Sequence, residues 1–103
     1  MQVPPICVLD EMGEQKECAK EDYTLCGSLC TVADVLVREV SLPKLRFGDV
    51  LEFGHCGAYS VTEAPALFLS RQLPAIYIYS KAGGFKCVRN HLAASDINLA
   101  RFV

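Results

Sequence analysis

At 103 residues the chain is long enough for one modest core and no more. Apolar residues make up 51% and charged residues 21%, a globular composition that excludes a disordered chain. A net charge of -2 excludes an electrostatic case for nucleic acid or an anionic membrane surface, and no apolar run is long enough to span a bilayer.

Pro4 and Pro5 bring the backbone in extended, and Ile6, Cys7, Val8 and Leu9 predict a first strand that ends at Asp10. Residues 10–22 hold six carboxylates against Lys16 and Lys20 and, past Asp10, lack an apolar period as far as Glu21; they predict a solvated, mobile surface connection. Tyr23, Thr24, Leu25 and Cys26 predict the next strand, and Gly27 lets the chain bend. Another strand starts at Val35, Leu36 and Val37 and continues to Val40, where Ser41, Leu42 and Pro43 break it. Lys44, Leu45 and Arg46 lead to a Gly48-Asp49 turn. The strand that follows gives way to a Gly57-Ala58 bend, with the Tyr59 hydroxyl at its tip.

Thr62 as an N-cap with Pro65 in the first turn predicts one or two turns of helix. Beyond Pro74, residues 75–79 are apolar on both faces, the pattern of a central strand. Lys81, Ala82, Gly83 and Gly84 then make a hairpin turn into Phe85, Lys86, Cys87 and Val88. Residues 90–103 predict a turn of helix or a last edge segment. Short strands at close spacing define an all-β fold, a Greek-key-like barrel or sandwich with one or two short helical turns, in a single domain of residues 1–103.

The chemistry is sparse. Residues 1–6 carry no export signal, which reads as an unexported, cytoplasmic chain, and the six cysteines are then expected to be reduced. Zinc is disfavoured because Cys26 and Cys30 are four apart with no second pair, and His55 and Cys56 would face opposite sides of a strand. Gly83 and Gly84 suit a hairpin better than a phosphate loop, since no helix start follows them. The unusual segment is residues 27–34, where the thiol of Cys30, the hydroxyl of Thr31 and the carboxylate of Asp34 fall between two strands. By chemistry alone Cys30 is either a small apolar filler or a proton donor, and Tyr59 either packs its ring or donates a hydrogen bond.

A resemblance separates these readings. Gly27-Ser-Leu-Cys30-Thr-Val-Ala-Asp34, Leu42-Pro43, Gly48-Asp49-Val-Leu, Gly57-Ala58-Tyr59 and Phe68-Leu-Ser70-Arg71 occur in the order of the C-terminal β-domain of pyridoxal-phosphate decarboxylases. The sequence resembles that family from about residue 4 to residue 100, and within it most resembles diaminopimelate decarboxylase, an enzyme of lysine biosynthesis. The resemblance implies half of an enzyme: pyridoxal 5'-phosphate sits on an N-terminal (β/α)8 barrel that this sequence lacks, and the fragment alone should bind no cofactor and decarboxylate nothing. It implies a homodimer in which the loop carrying Cys30 enters the partner subunit's site, where the thiol returns a proton to the carbon that lost carbon dioxide.

By the same resemblance Tyr59 hydrogen-bonds the cofactor phosphate in its own subunit. One departure concerns the amino-acid substrate. Family members carry Glu or Asp directly after the cysteine to read the substrate's distal amino group, and this sequence has Thr31, with Asp34 as the alternative carboxylate. Two other readings stand beside the enzyme: a stand-alone β-barrel binding or dimerisation module, and a cysteine-rich metal protein.

Overall fold

The structure, a computed structural model described at residues 3–62 and 68–97, separates into two units, Met1–Ala64 and Pro65–Val103. In the first unit the strands are β1 (Ile6–Leu9), β2 (Lys20–Cys26), β3 (Val35–Pro43) and β4 (Val50–Phe53), followed by a single-turn helix α1 (Tyr59–Thr62). β1 pairs antiparallel with β4, placing Ile6 opposite Phe53 and Val8 opposite Leu51. β2 pairs antiparallel with β3 from Lys20 opposite Pro43 to Cys26 opposite Val35. Both ladders turn apolar residues to one core, formed by Val8, Leu25, Val37 and Leu42, with Tyr23, Val40, Leu51 and Phe53 packed against it.

β3 is longer than its sequence suggests. The strand runs through Ser41, Leu42 and Pro43 because Leu42 is buried to 4% and belongs to the core, while Pro43 sits at the strand's end where it owes no ladder donor. Its inward positions step from Val37 to Val40, three residues instead of two, and the ladder shifts register there. This is a β-bulge: Arg38 and Glu39 both face outward, and the Thr24 hydroxyl donates to the Arg38 carbonyl.

The connection between β1 and β2 is pinned rather than loose. Asp10 Oδ1 accepts from the amides of Met12 and Glu14, each at 2.9 Å, and the Lys16 amide donates to the Val8 carbonyl at 2.9 Å. β2 begins at Lys20, inside the stretch whose composition reads as a connection. β4 ends at Phe53, so His55 (φ 54°) and Cys56 lie beyond the strand, and the opposite-faces argument against them does not apply. Tyr59 opens α1 instead of closing a strand, and Thr62 is that helix's last residue, not its N-cap. Pro65 lies outside the described residues.

The second unit holds β5 (Ile76–Ser80), β6 (Gly84–Arg89) and a short helix α2 (Ala94–Ile97). β5 and β6 form the expected hairpin around residues 81–83, with the Gly83 amide donating to Ser80 Oγ at 3.0 Å. Leu73 and Leu92 exchange backbone hydrogen bonds at 2.8 and 3.3 Å, closing the segment around it. β5 is not central: its only ladder among the described residues is with β6, and Tyr77, Ile78 and Tyr79 are all more than half exposed. The all-β expectation holds, while the described strands form three two-stranded ladders rather than a closed barrel.

Candidate functional site

Residues 27–34 join β2 to β3 and carry Cys30 outward. The loop is closed by its own backbone, since the Gly27 amide donates to the Asp34 carbonyl at 2.9 Å, directly beyond the last ladder pair. Inside it, the Thr31 amide donates to the Leu29 carbonyl at 2.8 Å and the Asp34 amide to the Thr31 carbonyl at 3.2 Å. Leu29 is half-buried and anchors the turn, whereas Cys30, Thr31 and Val32 are exposed at its tip. Cys30 is thus no core filler: its thiol is free and faces solvent.

The side chains of the loop divide the work. Thr31 Oγ1 accepts from the Ala33 amide at 3.2 Å, which leaves its hydroxyl hydrogen available to donate. Asp34 Oδ2 accepts from the Leu29 amide at 3.0 Å, so this carboxylate is engaged within the loop. Val32 is 93% exposed, and with Val3, Pro4, Ala33 and Leu36 it lines a groove of about 480 Å³ beside the loop. Tyr59 lies in the same unit and is 74% exposed. Ser60, its neighbour, is tied back to the Gly57 carbonyl through both its amide and its hydroxyl.

The strongest electrostatic feature lies elsewhere in the unit. Lys16 Nζ contacts Asp49 Oδ2 at 2.6 Å and the Lys44 carbonyl at 2.7 Å, in a cleft of about 640 Å³ that Arg46 and Phe47 also line. The hydrogen bond from Lys16, then that from the Arg46 amide, hold the Asp49 carboxyl below the usual carboxylate range. Sequence reasoning missed this pair because its partners are separated by 33 positions. It also missed the relation of Gly27 to Asp34, which only the closed loop brings together. All six cysteines are free, and among the described residues no three His, Cys, Asp or Glu side chains gather as a metal site.

Fold and loop together define a strand-built domain that displays a thiol and a phenol outward. The chain belongs to the pyridoxal-dependent decarboxylase family, as its C-terminal sheet domain, whose model matches residues 2–57. Cys30, Thr31 and Asp34 fall inside that match, and Tyr59 lies just past it.

The chain is similar to several curated decarboxylases. It is 35% identical over 77 residues, 75% of this chain and 18% of the relative, to an L-glutamyl-[BtrI acyl-carrier protein] decarboxylase of Niallia circulans. It is 39% identical over 66 residues, 64% of this chain and 16% of the relative, to a 2-[(L-alanin-3-ylcarbamoyl)methyl]-2-hydroxybutanedioate decarboxylase of Staphylococcus aureus. It is 37% identical over 54 residues, 52% of this chain and 12% of the relative, to a diaminopimelate decarboxylase of Archaeoglobus fulgidus. The chain therefore spans less than a fifth of the length of these curated relatives. Its exposed donors suit the family's cofactor: a phenol can serve a phosphate oxygen, and a thiol can carry a proton to carbon.

Proposed function

We propose that this chain is the C-terminal domain of a pyridoxal 5'-phosphate-dependent amino-acid decarboxylase of the diaminopimelate decarboxylase kind, supplying part of a composite site. Its partners are an N-terminal cofactor-binding barrel domain and a second subunit in a homodimer, in a cytoplasmic enzyme of amino-acid metabolism. When bound, pyridoxal 5'-phosphate supplies an electron-poor ring that takes up the electrons released as carbon dioxide leaves. Cys30 holds a proton on Sγ and delivers it to the carbon that has lost its carboxylate. Tyr59 donates its phenolic hydrogen to a phosphate oxygen and fixes the cofactor's depth. Thr31 stands where the substrate's far end is read. The observation that carries this reading is the exposed position of Cys30 on a loop inside the matched family domain.

A second reading concerns the substrate alone. Thr31 provides a hydroxyl where a carboxylate would pair with a distal ammonium, and two relatives carry names that specify an L-glutamyl-[acyl-carrier protein] and a 2-hydroxybutanedioate derivative. Both observations support a substrate whose far end is a neutral or carboxyl-derived group rather than an amine. Profiling the complete polypeptide with cofactor against diaminopimelate, ornithine, arginine and glutamyl amides tests both readings. Decarboxylation of any of these establishes the enzyme, and the preferred far end decides the substrate. No decarboxylation with any cofactor-loaded form would leave the module reading in its place.

A further inference from the structure

We propose that Asp34 is a positioning residue: its carboxylate clasps residues 27–34 and sets where the Cys30 thiol is presented, using the space that Gly27 leaves empty. The inference rests on Cys30 being the proton donor only in its kinetic consequence; the clasp itself is a property of this chain.

The geometry is specific. Asp34 holds the loop three times, through its carbonyl to the Gly27 amide at 2.9 Å, through Oδ2 to the Leu29 amide at 3.0 Å and through its own amide to the Thr31 carbonyl at 3.2 Å. Leu29 in turn accepts from Thr31, and Thr31 accepts from Asp34, so both neighbours of Cys30 are tied to the same residue. A Cβ built on Gly27 would overlap both oxygens of the Asp34 carboxylate. Gly27 is not among the glycines with positive φ, so glycine is required here for room and not for conformation. The acid four residues after the cysteine is therefore anchored to the backbone through Oδ2.

Charge and acceptor roles separate cleanly in substitution. Asn at position 34 keeps the size and the acceptor oxygen but loses the charge, Ala loses all three, and Gly27→Ala leaves Asp34 intact while displacing its carboxylate. In this chain, the clasp predicts that Asp34→Ala and Gly27→Ala each speed hydrogen exchange at the Leu29 amide by at least about tenfold, while Asp34→Asn stays within roughly threefold of wild type. Exchange at the Val37 amide, in the core strand, reports whether each variant remains folded. Alkylation of Cys30 by iodoacetamide, read site by site by mass spectrometry, should rise in the same two variants and not in Asp34→Asn.

In the complete cofactor-loaded enzyme, Asp34→Ala should lower kcat by about tenfold or more with KM within about twofold, and Asp34→Asn should restore most of kcat. In a Cys30→Ala background Asp34→Ala should add little, because it acts through that thiol. Asp34→Asn matching Asp34→Ala, with a raised KM for a diamino acid, would overturn the proposal in favour of a carboxylate that reads substrate charge. Unchanged Leu29 exchange in a folded Asp34→Ala chain would overturn it as well. Full activity of Cys30→Ala would instead remove the proton-donor reading, and the exchange and alkylation results would still decide the clasp.

Discussion

Lys16 Nζ lies 2.6 Å from Asp49 Oδ2, and this pair ties the polar segment before β2 to the turn that launches β4. The two side chains are only 14% and 8% accessible, and Asp49 Oδ2 also accepts from the Arg46 amide at 2.8 Å. A carboxyl held below its ordinary range resists protonation in the native state. The unfolded chain takes up that proton near the ordinary aspartate value of about 3.9, so between the two values the unfolded state binds more protons and stability falls as pH falls. Asp49 thus contributes fully above about pH 5 and loses its contribution as pH drops through its native value. Urea unfolding of wild type and Asp49→Asn at several pH values should show a stability gap that is constant near neutrality and closes below about pH 4. A gap independent of pH down to acid would assign the stabilisation to packing.

Leu42 is 4% exposed in a core whose buried members in this unit are Val8, Leu25, Val37 and Leu42. Truncating it leaves a cavity in the cluster that both ladders share. Leu42→Ala should cost about 2–5 kcal/mol, a large share of the stability a domain this small commands. Chemical denaturation measures it. A loss under about 0.5 kcal/mol would mean that the end of β3 is not part of the core.

The β5–β6 hairpin presents Tyr77, Tyr79 and Phe85 on one face, with the rings of Tyr79 and Phe85 in tilted contact at 4.9 Å between centroids. These side chains are 59%, 62% and 77% exposed. A lone two-stranded hairpin is marginal in water, and an apolar patch of this kind favours association. The isolated chain should self-associate in sedimentation experiments, and replacing the three residues with Ser should weaken association by about tenfold or more. A wild-type chain that stays monomeric at high concentration would show that the patch is not adhesive.

The roles proposed for Cys30 and Tyr59 make separable predictions in the complete enzyme, and the effects that follow are those these roles imply. Cys30→Ala removes the transferable proton and should lower kcat by about 100-fold or more while cofactor affinity holds. Tyr59→Phe removes one charge-assisted hydrogen bond and should weaken cofactor retention by about tenfold or more with a smaller effect on kcat. Cofactor absorbance after dialysis and steady-state rates distinguish the two. Equal losses of cofactor in both variants would contradict the assigned roles.

What the sequence revealed follows the range of the interactions. β1 is legible because Ile6 to Leu9 is a continuous apolar run between prolines and Asp10, and the second hairpin because Gly83 and Gly84 announce its turn. The end of β3 is not, because Pro43 signals a break while the burial of Leu42 depends on distant partners in β1 and β4. The bulge between Val37 and Val40 shifts the alternation by one residue, which hides the inward face from a strict two-residue period. Cys30 stood out by its place in residues 27–34, but only the resemblance favoured a functional reading, since an exposed thiol and a buried one look alike in one dimension. Asp34 was visible as a carboxylate near it, but its hold on the Leu29 amide belongs to the folded loop.

In the proposed function, substrate choice turns on Thr31. Its Oγ1 accepts from the Ala33 amide at 3.2 Å and offers a distal ammonium a neutral oxygen, while the Asp34 carboxylate is anchored to the Leu29 amide through Oδ2. A glutamate at this position would supply a charge-assisted partner of about 1.5–3 kcal/mol, equivalent to roughly 10- to 150-fold in kcat/KM. Thr31→Glu in the complete enzyme should therefore shift preference toward diamino acids by about that factor, measured by competition between diaminopimelate and a glutamyl amide. A wild-type enzyme that already prefers diaminopimelate, with a Thr31→Glu variant that changes nothing, would place the reading of the substrate's far end on another element of the protein.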